Sequence, residues 1–149
     1  MITKIIVEGP NNVGKTTLIN KLKSIYGLSK WEVIHCTNET PNTYEYFNEL
    51  LSSERKIIFD RAFVGERIYP MLENRKSKLS KKDYYKLLIN DYNESILHIF
   101  VFADEEFIKN AYLQKSEKYD DEYVRCEMRF FYDEYTLTKE LCKNVLRID

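Results

Sequence analysis

The chain has 149 residues, 44% of them hydrophobic and 32% charged, with a net charge of −1 at pH 7. This is one domain's worth of sequence, able to bury roughly 70% of its unfolded surface without disulfides or metals. The near-neutral balance argues against stable nucleic-acid binding. Three scattered cysteines, Cys36, Cys126 and Cys142, form no paired motif and read as free thiols of a reducing compartment. The opening MITKIIVEG carries no cleavage signal, and no stretch approaches the ~20 apolar residues of a membrane span, so a cytoplasmic protein is expected.

In chain order, KIIVE is a short unbroken apolar run, as expected of a strand buried on both faces. KTTLINKLKSIYG predicts a helix with Leu18, Ile19, Leu22 and Ile25 on one face and Gly27 just past its end. WEVIHC reads as a second strand. PNTYEYFNELLSSE is a helix with Tyr44, Phe47, Leu50 and Leu51 on one stripe, and Asn42 and Glu45 have capping-box spacing. KIIFD is a third buried strand that ends in an acid. FVGERIYPMLEN is helical, with Pro70 expected to bend or end it. SKKDYYKLLINDYNES opens with the Ser80 and Asp83 box and makes the next helix; ILHIFVFA is a strand. DEEFIKNAYLQK is a helix capped by Asp104, DDEYVRCEMRFFYDEYTLTKELCKN a long helix, and VLRID a fifth strand. Strands alternate with helices throughout, which predicts an α/β fold over residues 1–149: one domain with a five-stranded parallel sheet covered by helices on both faces. Ligands of such sheets sit beyond the carboxyl ends of the strands.

The most specific signal is the run Gly9 to Thr16, which spells G-x-x-x-x-G-K-T between a buried strand and an amphipathic helix. Two of the chain's four glycines fall here. They let the backbone of Asn11, Asn12, Val13 and Gly14 curl so that successive N–H groups, with those of Lys15, Thr16 and Thr17 at the helix start, cradle a phosphate. Lys15 would face the β- and γ-phosphates of ATP, and the Thr16 hydroxyl would bind Mg²⁺. Asp60, at the carboxyl end of KIIFD, stands where a second magnesium anchor belongs; the alternative is an N-cap for the following helix. Neither NKxD nor DxxG occurs, which disfavours a guanine-specific GTPase.

With Asp60 and Arg61 included, the sequence resembles the thymidylate kinase and deoxynucleoside kinase group of P-loop kinases over most of its length. VEGPNNVGKTT is similar to their glycine loop, and FDRAFVGERIYP to their D-R-x-x-x-S-x-x-A-Y-Q stretch. The resemblance implies a metal-side role for Asp60, a phosphate grip for Arg61 and a nucleoside contact for Tyr69. NETP is similar to the family's Glu-Pro element, which makes Glu39 the base that would take a sugar-hydroxyl proton in a deoxynucleoside kinase. Phe47 is a further candidate beside the nucleoside, and Arg67 and Arg75 candidate grips on the acceptor's phosphate; Arg75 reads equally as part of an exposed basic turn. The pairing of GERIYP with LENRKSKLS, and the Lys-, Asn-, Ile- and Tyr-rich composition typical of AT-rich genomes, resemble small phage kinases.

The chain also departs from that pattern. The family's aspartate after the first glycine is Asn11, its serine is Gly65, and its base-contacting residue is Pro70. The lid near residues 114–123 carries Lys115 and Lys118 instead of arginines, with Arg125 and Arg129 following on the next helix. His35 and His98 lie in predicted strands and are expected as satisfied buried histidines. The expected activity is transfer of the γ-phosphoryl of ATP, with Mg²⁺, to a deoxynucleoside monophosphate. A deoxynucleoside kinase and a nucleotide-binding module that has lost catalysis are the alternatives. The resemblance further implies a homodimer, and host cytoplasm if the gene is a phage's.

Overall fold

The computed structural model describes residues 1–25 and 27–149. Five parallel strands form one sheet in the order β2-β3-β1-β4-β5. They are β1 (Lys4–Glu8), β2 (Glu32–His35), β3 (Ile57–Asp60), β4 (Ile96–Val101) and β5 (Val145–Ile148). The helices are α1 (Lys15–Ser24), α2 (Tyr44–Ser52), α3 (Phe63–Leu72), α4 (Lys81–Leu88), α5 (Glu105–Gln114) and α6 (Asp121–Leu141), with a 3₁₀ turn at Asn93–Ser95. The expected single α/β domain with helices on both faces is the one observed.

Two apolar clusters sandwich the sheet. On one side Ile6, Ile57, Phe59 and Phe100 pack with Phe47, Phe63, Tyr84 and Phe131 from α2, α3, α4 and α6. Phe47, Phe63 and Tyr84 meet edge to face at 5.9 and 5.8 Å, the arrangement ring quadrupoles favour. On the other side Ile5, Val7, Ile58, Ile99 and Val101 pack with Ile19 of α1 and Ile108 and Tyr112 of α5. The central strands are therefore almost wholly buried, whereas the edge strands β2 and β5 are largely exposed.

The expected caps mostly hold. Ser80 accepts from Asp83 N–H and Asp104 from Phe107 N–H; Asp120, not singled out from the sequence, caps α6 by accepting from Tyr123 N–H. Helix α2 is a correction. Its cap is Thr43, which accepts from Tyr46 N–H, because the Asn42 side chain is committed to Thr37 O and Glu66. Helix α1 stops at Ser24, so Ile25, expected on its buried face, is half exposed; Gly27 is left-handed at φ 91° but one residue beyond the expected position. Pro70 does not end α3, which continues to Leu72. Proline leaves the Glu66 carbonyl without its helical donor. The Ser77 hydroxyl fills that place at 3.0 Å.

His98 is buried as expected, but its Nδ1 has no partner among the described residues, and burial pushes its pKa down to about 4. His35 is instead exposed, because β2 lies at the sheet edge. Cys36 and Cys142 are buried free thiols, and Cys126 is exposed. Among the described residues no helix is long and apolar enough to cross a membrane.

Candidate phosphate and acceptor site

The register sets three strand ends side by side: Val7 pairs with Asp60, and Asp60 with His35. The glycine loop therefore leaves β1 directly beside the acid that ends β3. At Gly9 a Cβ would lie 2.3 Å from Val101 O, so no side chain fits where the loop passes β4. Gly14, at φ 100°, supplies the left-handed turn into α1.

Lys15 begins α1 and is buried, its Nζ donating to Gly9 O at 3.0 Å and Pro10 O at 2.5 Å. The ammonium thus sits inside the curl of its own loop. Burial, and secondarily the charge of Arg61, lowers its pKa to about 7. A bound phosphate favours the ammonium and raises that pKa again. Nucleotide binding is therefore expected to take up a proton above about pH 7, and affinity to fall by up to about tenfold per pH unit there. Calorimetry at pH 8 in buffers of different ionisation heat measures this uptake; affinity that stays flat from pH 6.5 to 9 contradicts it.

Asp60 Oδ2 lies 2.7 Å from Nδ1 of His35. It is not the cap of α3, whose N-cap is Ala62. Arg61 follows with φ 66°, a left-handed conformation that costs a non-glycine residue of order 1–3 kcal/mol. Its N–H donates to Val7 O, its Nη2 to Asn11 Oδ1 at 2.7 Å, and its guanidinium lies 4.6 Å over the Tyr69 ring. Among the described residues Nη1 is a buried donor without a partner, a place that water or an anion can fill.

Two buried carboxylates hold this arrangement and were not singled out from the sequence. Glu8 accepts at Oε2 from Ala62 N–H (2.9 Å) and Gly65 N–H (3.2 Å), so a β1 residue caps α3. Glu127, fully buried on α6, accepts from Asn11 N–H at 3.1 Å and from the Tyr69 hydroxyl at 2.5 Å. Burial raises the pKa of both. The available signal was an acid inside an apolar pattern. Glu8 directly follows the apolar run Ile5 to Val7 of β1, and Glu127 shares the α6 face of Val124 and Phe131.

Two cavities adjoin. One, of about 470 Å³, is lined by Asn11, Asn12, Gly14, Lys15, Thr16, Thr17, Asp60, Arg61 and Lys115 among others; Gly9 and Val13 are buried and do not line it. Lys115 Nζ donates to Asn12 Oδ1 at 2.5 Å, which ties the segment after α5 to the glycine loop. The other, of about 360 Å³, is lined by Arg61, Tyr69 and Arg75 among the expected residues. Asn11, His35 and Arg61 belong to both.

The remaining expected residues lie elsewhere. Glu39 is exposed and lines neither cavity. Phe47 is fully buried in the core. Arg67 turns toward Leu79 O and the Tyr84 ring. Lys118 is exposed outside both cavities, and Arg125 pairs with Glu105 at 3.1 Å. Arg129 lines a separate hollow with Phe102, Tyr132 and Arg147.

Thr16 and Asp60 both line the phosphate cavity and offer hard oxygen donors. Magnesium commonly takes only one or two protein oxygens, with water and phosphate completing its shell. The residues therefore fit that ion. Among the described residues no cluster of three or more His, Cys, Asp or Glu suits a metal held by protein alone.

Fold and loop together define a class, the single-domain P-loop kinase fold. The chain is similar to the Bacillus subtilis YorR protein, solved in complex with phosphorylated GDP, at TM-score 0.81 and 19% identity, over 99% of this chain and 85% of that one. It is also similar to polyphosphate kinase 2 from Arthrobacter aurescens TC1 (TM-score 0.67, 12% identity, 97% and 60% covered). A third is deoxyadenosine kinase from M. mycoides with bound dCTP (TM-score 0.63, 16% identity, 98% and 89% covered). No protein-family model and no curated protein sequence matches the chain.

Proposed function

We propose that the protein is a kinase that transfers the γ-phosphoryl of ATP to a deoxynucleoside monophosphate. The observation that carries the proposal is the adjoining of a glycine-loop cavity and a second cavity at Asn11, His35 and Arg61, where Arg61 Nη1 is a buried donor without a partner among the described residues. The names of the similar structures support it: a protein crystallised with a guanine nucleotide and a deoxyadenosine kinase share the fold.

Phosphoryl transfer needs little covalent help from a protein; it needs positioning and stabilisation of charge. Here the loop N–H groups and Lys15 would hold the donor's phosphates, with Lys115 closing over them as part of a lid near residues 114–123. Arg61 would bridge donor and acceptor phosphates. Its guanidinium is held by Asn11 and the Tyr69 ring, so little side-chain freedom is lost on binding. Thr16 and Asp60 would hold Mg²⁺, which when bound would neutralise phosphate charge. We further propose a cytoplasmic location, that of the host if the gene is a phage's, and a homodimer.

Glu39 separates the two kinase readings. A sugar hydroxyl needs a base within hydrogen-bond reach, whereas a monophosphate attacks with an oxygen that is already anionic. Exposure of Glu39 outside the acceptor cavity supports the monophosphate. ATP turnover over a panel of deoxynucleosides and their monophosphates tests the reading. Glu39→Gln is expected to lower activity on the best monophosphate by less than about tenfold; a base would cost about 10²–10⁴-fold. Turnover of free deoxynucleosides alone, with a dead Glu39→Gln variant, reverses the ranking. No turnover of any acceptor returns the chain to a nucleotide-binding module.

A further inference from the structure

We propose that the open edge of β5 pairs antiparallel with β5 of a second copy of this chain, joining two five-stranded sheets into one. The proposal deepens the homodimer reading above by naming its surface, and it rests on that reading.

Strand β5 pairs with β4 alone and ends the sheet. Asn144 O accepts from His98 N–H at 2.9 Å and Ile148 O from Phe102 N–H at 2.8 Å. Backbone groups alternate in direction along a strand, so those of residues 144, 146 and 148 face β4. The N–H and C=O groups of Val145, Arg147 and Asp149 therefore point out of the sheet. Such a row is a template for a further strand unless a proline, a lysine, a bulge or a covering segment blunts it. VLRI contains no proline, lysine or glycine, and Leu146, Arg147 and Ile148 are exposed. The opposite edge is different. There β2 opens with Glu32, an exposed charge held by Arg55, and only Val33 and His35 turn outward.

A two-fold axis through Arg147 uses all three outward residues. It sets Arg147 against its own copy and Val145 against Asp149 of the second copy, so each finds partners for its N–H and C=O groups. Leu146 then faces Ile148 of the second copy, and the reverse, at the positions where cross-strand side chains lie closest. In one chain Leu146 is 51% and Ile148 37% exposed. They stand beside Ile99 and Val101 of β4, so the pairing extends an apolar layer that already exists. The other face balances its charge. Arg147 lies over the rings of Phe102 and Tyr132 at 5.0 and 5.5 Å, and its Nε donates to Asp149 of its own chain at 2.8 Å. The guanidinium thus leans back over its own sheet, away from its copy. Asp149 of the second copy stands diagonal to it, and two guanidinium groups with two carboxylates leave the seam without net charge.

The test is sedimentation velocity of the full chain over a wide range of protein concentration, with backbone amide exchange followed by NMR. The expected result is a concentration-dependent dimer. As it forms, the amides of Val145, Arg147 and Asp149 become protected, while those of Leu146 and Ile148, already turned to β4, change little. Leu146→Lys, at a half-exposed position where a single chain accommodates lysine, is expected to abolish the dimer. Val33→Lys on the opposite edge is expected to leave it intact. A dimer that survives Leu146→Lys, one lost in Val33→Lys, or one in which the three amides exchange as fast as in the monomer overturns this inference alone and places the interface elsewhere. A monomer at every concentration overturns both this inference and the homodimer reading.

Discussion

Lys15→Ala is expected to reduce phosphoryl transfer by a factor of about a thousand or more, with most of the loss in kcat. The ammonium lies within the curl of the glycine loop, held by the carbonyls of Gly9 and Pro10. In the reaction it would exchange those neutral acceptors for phosphate oxygens whose charge grows in the transition state. An interaction that strengthens there lowers kcat when removed, whereas uniform binding would raise KM alone. Alanine also leaves a void inside the loop, so Lys15→Met, which fills that space without the charge, separates the charge from loop packing. Steady-state kinetics and a melting curve on both variants decide the matter. Turnover within about twofold of the parent enzyme removes the phosphate assignment.

Asp60→Asn is expected to lower activity by a factor of hundreds with little change in melting temperature. The amide keeps the shape and can still accept from His35, as the carboxylate does at 2.7 Å. What it loses is the negative charge facing the cavity that Thr16 also lines. A preorganised charge of this kind is worth about 10²–10³ in rate. The measurement is kcat against Mg²⁺ concentration, together with Mg²⁺-dependent nucleotide binding. The variant should need more Mg²⁺ for both. A variant that unfolds while its folded fraction turns over normally would make Asp60 a structural residue and move the metal site elsewhere.

Local pattern carried the fold, and the physical reason is that each part of it is a short-range signal. An unbroken apolar run too short for a helix and rich in isoleucine and valine reads as a strand covered on both faces, so KIIVE, KIIFD and ILHIFV were legible alone. Alternation with helices forces parallel pairing and right-handed crossovers. The glycine loop was legible for the same reason, since its glycines, lysine and threonine lie within one turn of chain. The caps at Ser80 and Asp104 were equally local. At Asn42 and Thr43 two capping residues competed, and a contact from Asn42 to Glu66, 24 positions away, decided between them.

What only the tertiary structure decided is which polar groups meet across long separations, because such meetings depend on sheet order and helix packing. Glu8 caps a helix 54 positions later, Glu127 reaches the loop 116 positions earlier, and His35 meets Asp60 across a strand pair. The same holds for exposure. A residue on a predicted strand is buried or open according to whether its strand is central or at an edge, which is why His98 is enclosed and His35 faces the cavities. Side-chain direction sorted the acceptor candidates likewise: Tyr69 and Arg75 line the cavity, while Phe47 completes the core and Arg67 turns to Leu79 and Tyr84. Residue type and local spacing determined that this chain would build a tight glycine loop on a parallel sheet. Packing of α3 and α6 over the carboxyl ends of the strands determined what stands opposite that loop, because burial and pairing energies are settled only when distant segments share one interior.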